Sequence, residues 1–118
     1  MAVAEVGSVR RIDRTTNVLE RIVGTGARQL CGEQGPPLRV CLSALRLDFA
    51  PNGTLWIADP ENRRLWRVSG GAARAYALGF APFDVVGRSA TEVLVADNEK
   101  RRILRFDASS GRVTTVVG

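Results

Sequence analysis

Glu33, Asp59, Asn62, Asp97 and Asn98 are the side chains of this 118-residue sequence that could in principle gather around a cation. Calcium ligation of the kind used by metal-dependent hydrolases needs six or more oxygen donors converging on one point, and nothing in the spacing of these residues singles out such a set. A carboxylate that begins a turn instead accepts hydrogen bonds from backbone N–H groups a few residues on, and Asp59 and Asp97 are read that way. The sequence has no histidine. The usual base for activating a serine or cysteine and the commonest zinc ligand are therefore missing. No catalytic residue, metal ligand or cofactor is assigned.

Cationic side chains are the other chemical resource. Lysine plus arginine number 17 against 12 acidic residues, a net charge of +5, and every cation except Lys100 is an arginine. Arg28, Arg39, Asn62, Arg63, Lys100 and Arg101 are the candidate binding residues, because they fall in turns and links rather than in apolar runs. A basic surface attracts phosphates. Glu33, Asp59, Glu61, Asp97 and Glu99 occupy the same segments, however, so a mixed-charge solvated surface is the plainer expectation. Cys31 and Cys41, the two cysteines, can close a small loop that stabilises by about 3 kcal/mol. Two separate buried thiols fit the sequence as well, and a pair of cysteines does not fix the redox compartment.

The elements that position these groups come from a repeat. Leu55-Trp56-Ile57-Ala58-Asp59-Pro60-Glu61-Asn62-Arg63-Arg64-Leu65-Trp66-Arg67-Val68 returns as Val93-Leu94-Val95-Ala96-Asp97-Asn98-Glu99-Lys100-Arg101-Arg102-Ile103-Leu104-Arg105-Phe106, displaced by 38 residues. A partial third copy opens the chain, with Val9-Arg10-Arg11-Ile12-Asp13 matching Ile103 to Asp107 and Ile22-Val23-Gly24 matching Val116-Val117-Gly118. A period of this length is one supersecondary unit copied along the chain, and four short strands per unit make a propeller blade.

Turn chemistry divides each copy. Pro51-Asn52-Gly53, Gly70-Gly71 and Ser109-Ser110-Gly111 separate short apolar runs without helical periodicity. The expected architecture is all-β, a partial β-propeller with two complete four-stranded antiparallel blades plus part of a third. Residues 1–24 are the partial blade, 25–43 a Gly/Pro-rich connector, 44–79 and 80–118 the two blades. Because strands alternate in direction, the loops after each second strand and the links between blades emerge on one side, and that side carries the candidate binding residues. Arg11, Arg67 and Arg105 recur on the third strand, which predicts packing against the neighbouring blade with the head paired or stacked on an aromatic such as Trp66.

Ala58-Asp59-x-x-Asn62-x-Arg64-Leu65, preceded by Asp48 to Leu55, resembles the NHL repeat, and the Gly-rich link from Gly24 to Pro36 is similar to the connector between such repeats. Arg63 and Arg101 stand where the motif often has histidine, and Lys100 where it has asparagine. The resemblance implies a binding or scaffold module engaging protein partners, with RNA recognition second and a calcium-dependent propeller hydrolase or lactonase third. It also implies further blades from a longer parent chain. Alone, these residues would form an open arc that aggregates through its exposed faces. No run approaches the ~18 apolar residues of a membrane span, and Met1 to Glu5 lacks the basic start and long apolar stretch of a secretory signal, so no membrane association is expected and the N-terminus reads as an internal strand. The compartment is not legible.

Overall fold

The computed structural model describes residues 2–5, 7–13, 15–26, 31–32 and 34–118. They form three antiparallel sheets. The first contains β1 (Ala2–Glu5), β2 (Ser8–Asp13) and β3 (Val18–Val23). The second is built on β5 (Arg46–Phe49), β6 (Leu55–Asp59), β7 (Arg64–Ser69) and β8 (Ala72–Ala77). The third contains β9 (Pro82–Gly87), β10 (Glu92–Asp97), β11 (Arg102–Asp107) and β12 (Arg112–Val117). The strands named so far pair with their chain neighbours, as hairpins joined by short turns dictate. Among the described residues the first sheet has three strands, including the one at Ala2.

The connector is where the structure departs from the expected irregular link. Gln34–Gly35 (β4) pairs antiparallel with β8, Gln34 opposite Arg74 and Gly35 opposite Ala73, so the middle sheet has five strands. The outer edge of β8 presents unpaired backbone groups, and a dipeptide of the connector satisfies part of that edge. Two residues of low strand propensity give no periodic signal, which is why the sequence reads as loop. A single 3-10 turn, Pro37–Arg39, follows.

Alternation of side chains decides which face meets which neighbour. Val93, Val95, Leu104 and Phe106 of the third sheet pack on Ala50, Trp56, Ala58 and Leu65 of the second. The opposite face of the second sheet, with Leu55, Ile57 and Trp66, packs on Val9 and Val23 of the first and on Val40 and Leu42 of the connector. Strand β6 is buried along its whole length because it is covered on both sides, whereas β12 is exposed along its whole length. Beyond the third sheet no described residue covers Val86, Ile103 and Val117, which are 51, 40 and 59% exposed. The three sheets therefore form an open row, 43 Å in its longest dimension.

Polar tethers fix the second sheet to the third. Trp56 Nε1 donates to the Ser89 carbonyl at 3.1 Å, the Gly87 N–H donates to Asp48 Oδ2 at 2.7 Å, and Arg67 Nε donates to the Ala90 carbonyl. A Cβ on Gly87 would lie 2.8 Å from Trp56 Cδ1, so the turn nests on the indole only with glycine there. Arg67 thus reaches the neighbouring blade as its recurrence predicts. It does not stack on Trp66: consecutive strand residues point to opposite faces, and Trp66 is covered instead by Arg64, two residues away, at 4.8 Å. Arg11 pairs with Glu20 across its own sheet at 3.2 Å rather than with a neighbour.

Candidate functional site

Both copies of the repeat end their second strand on a buried aspartate and return through a turn that closes on an arginine in the left-handed region. Arg63 has φ 54° and Arg101 φ 50°. This conformation costs a residue with a Cβ about 1 kcal/mol. It is retained because the turn must set Arg64 opposite Asp59 and Arg102 opposite Asp97 on the ladder.

The two aspartates are satisfied by different donors. Asp59 accepts from Asn62 Nδ2 on both oxygens at 3.1 Å and from Trp66 Nε1 at 3.1 Å, with the Asn62 backbone N–H at 3.4 Å. In the second copy Lys100 and Leu104 replace Asn62 and Trp66, removing both side-chain donors. Asp97 accepts instead from the N–H groups of Glu99 and Lys100 at 3.2 and 3.4 Å and from Arg102 Nε at 3.0 Å. Burial alone pushes the Asp97 carboxyl up, but the Arg102 hydrogen bond and charge, with the two backbone donors, hold it below the usual carboxylate range.

Because neutral donors satisfy Asp59, Arg64 is available for another task. Its Nη1 donates to the Gly32 carbonyl at 2.9 Å and its Nη2 to the Cys41 carbonyl at 3.2 Å, while its guanidinium lies on the Trp66 ring. Cys31 and Cys41 are joined as a disulfide, with Cα atoms 5.4 Å apart. Arg64 thus holds main-chain oxygens beside both half-cystines. The Gly24 N–H donates to the Pro37 carbonyl at 2.7 Å and the Thr25 N–H to the Val40 carbonyl at 2.9 Å, tying the same loop to the end of β3.

These contacts make one continuous surface from the connector to the third sheet. Ser43 Oγ donates to Glu61 Oε2 at 2.8 Å, linking the connector to the β6–β7 loop. Arg63 donates to the Gly79 carbonyl at 3.3 Å and faces Glu99 of the β10–β11 loop at 3.9 Å. Asn62 is half-buried, its amide turned onto Asp59, and so belongs to the scaffold of the loop. Arg39, Lys100 and Arg101 are exposed, as is Asn98. Arg28 and Glu33 lie outside the described residues. As for the oxygen donors weighed for calcium, the carboxylates of Asp59 and Asp97 accept internal hydrogen bonds, and the Asn62 amide donates to Asp59. Ser43, which joins the connector to the loop surface, carried no sequence signal, since its partner is 18 residues away.

No protein-family model matches this sequence, and no curated protein matches it. Among solved structures the chain is similar to the crystal structure of selenomethionine-substituted virginiamycin B lyase from Staphylococcus aureus, with a TM-score of 0.65 and 17% identity over 99% of this chain and 40% of that one. The likeness shows the propeller fold. This chain spans less than half of the length of that structure.

Proposed function

We propose that this chain is part of an NHL-type propeller that acts as a binding module, engaging a protein partner through the surface formed by the connector and the β6–β7 and β10–β11 loops. The observation that carries the reading is the use of Asp59 and Asp97. Their oxygens are engaged by Asn62, Trp66, Arg102 and backbone N–H groups, so each loop is a braced turn, the second of which offers exposed Lys100 and Arg101 to a ligand, while exposed Arg39 comes from the 3-10 turn of the connector. Braced turns lose little conformational entropy on binding, and arginine is enriched among residues that anchor interfaces.

The test is retention of protein from a cell extract on the immobilised chain, compared with the variant Arg39→Glu/Lys100→Glu/Arg101→Glu. Loss of the retained species in the variant, with the disulfide and thermal unfolding unchanged, is the expected result. Retention that ignores the triple reversal would overturn the assignment of the surface. Steeply salt-sensitive retention of single-stranded RNA, with a log-log slope of about −0.7 per neutralised phosphate, would favour the nucleic-acid reading instead.

A second reading, a portion of a propeller lyase or hydrolase, is favoured by the named activity of the structural neighbour. Turnover of a lactone or cyclic ester by the chain, abolished by Asp59→Asn or Asp97→Asn without loss of fold, would support it.

A further inference from the structure

The recurring third-strand arginine meets a different cross-strand partner in each sheet. Arg11 lies opposite Glu20 and pairs with it. Arg105 lies opposite Thr114. Arg67 lies opposite Arg74, with Gln34 of β4 on the far side of Arg74. Like charges directly opposite on an antiparallel ladder are destabilising, and no carboxylate among the described residues pairs with either arginine.

The two arginines open on a groove of about 520 Å³, which Gln34, Pro36 and Ser69 also line and to which no acidic residue among the described residues contributes. Both guanidiniums are held. Arg67, a lining residue, is tethered through Nε to the Ala90 carbonyl, and the Arg74 guanidinium rests 5.2 Å from the centroid of the Tyr76 ring. The lining comes from β4, β7, β8 and the residues beside them, so the groove shares Gln34 to Pro36 of the connector with the loop surface but includes none of Arg39, Lys100 and Arg101.

We propose that this groove is a binding site for a phosphate-type oxyanion held between Arg67 and Arg74. Guanidinium forks match the oxygens of a tetrahedral oxyanion, and a dianion neutralises both arginines, turning a repulsive contact into two attractive ones. A carboxylate brings a single charge and leaves one guanidinium uncompensated.

The site is tested by titrating the full chain with inorganic phosphate near neutral pH at constant ionic strength, chloride being the reference and acetate the carboxylate probe. Calorimetry and thermal unfolding are the readouts. Phosphate is expected to bind and raise the unfolding temperature above the chloride value, with acetate weaker. Arg74 is exposed and its side chain makes no hydrogen bond to another described residue, so Arg74→Gln, which keeps the backbone ladder, is expected to fold. It should lose at least about fivefold in phosphate affinity while its unfolding temperature in chloride stays close to that of the parent chain, because relief of the like-charge pair offsets the lost contact with the Tyr76 ring. Arg74→Lys, which keeps the charge and loses the fork, should fall between. Equal behaviour in phosphate and chloride, undiminished phosphate binding by Arg74→Gln, or acetate binding as tight as phosphate would each overturn the proposal.

Discussion

Replacing Arg64 by alanine is expected to destabilise the chain by about 2–4 kcal/mol, far more than a surface arginine should. Two hydrogen bonds from a charged donor, to the carbonyls of Gly32 and Cys41 at 2.9 and 3.2 Å, are worth about 1.5–3 kcal/mol each. Stacking on Trp66 at 4.8 Å adds about 0.5–1 kcal/mol. Against this, the buried Arg64 Nε has no acceptor, and its removal relieves about 1–3 kcal/mol. In a chain of this size the net loss lowers the unfolding temperature by roughly 8–15 °C. Urea unfolding of Arg64→Ala and of Arg101→Ala gives the comparison, with the exposed Arg101 expected within about 0.5 kcal/mol of the parent. Hydrogen exchange supplies a local readout: the amides of Gly24 and Thr25, bonded to connector carbonyls, should exchange faster in Arg64→Ala. Combined with Cys31→Ser/Cys41→Ser, the loss should be less than additive, since both act on one loop. A cost below about 1 kcal/mol, or full additivity with the cysteine changes, would refute the view that Arg64 anchors the connector.

Trp66→Phe should cost at least about 2 kcal/mol in urea unfolding, because buried Asp59 loses the indole donor at 3.1 Å and the smaller ring leaves a void at a fully buried position. Gly24→Ala should be destabilising by at least about 2 kcal/mol, since Gly24 has φ +90° and a Cβ there would sit 2.3 Å from the Gly7 carbonyl oxygen; thermal unfolding reads it directly. Breaking the Cys31–Cys41 link by serine substitution, or by reductant, should remove about 3 kcal/mol, measured by the shift of the urea midpoint. The folded-state carboxyl of Asp97 is held below its unfolded value, so its contribution is fully present above the ordinary carboxylate range, near pH 4, and is lost as pH falls through the folded value. Unfolding measured from neutral pH downward should therefore show a flatter acid limb in Asp97→Asn than in the parent chain.

The repeat itself determined the fold class. Its apolar runs are short and its turn residues recur at matching positions, and strands joined by tight turns have little choice but to pair with their chain neighbours. The strands of the two full copies run between the turns that the pattern marks, because local alternation and turn chemistry act over a few residues. The buried turn role of Asp59 and Asp97 was legible for the same reason: each meets its backbone donors within three positions. What depended on distant parts of the chain was not legible. The strand at Gln34–Gly35 exists because β8 offers an edge. The choice between a disulfide and two thiols was settled by the approach of Cys31 to Cys41 within the folded connector, and Arg64 braces that loop from 32 and 23 residues away. Substituting Lys100 for Asn62 and Leu104 for Trp66 leaves Asp97 dependent on Arg102, an exchange visible only once the ladder sets these residues side by side. The facing pair of Arg67 and Arg74 likewise follows from register, which the length of the Gly70-Gly71 turn fixes and composition does not. Sequence patterns encode contacts over a few residues, whereas pairings between strands, sheets and the connector are fixed by the packing of the whole row.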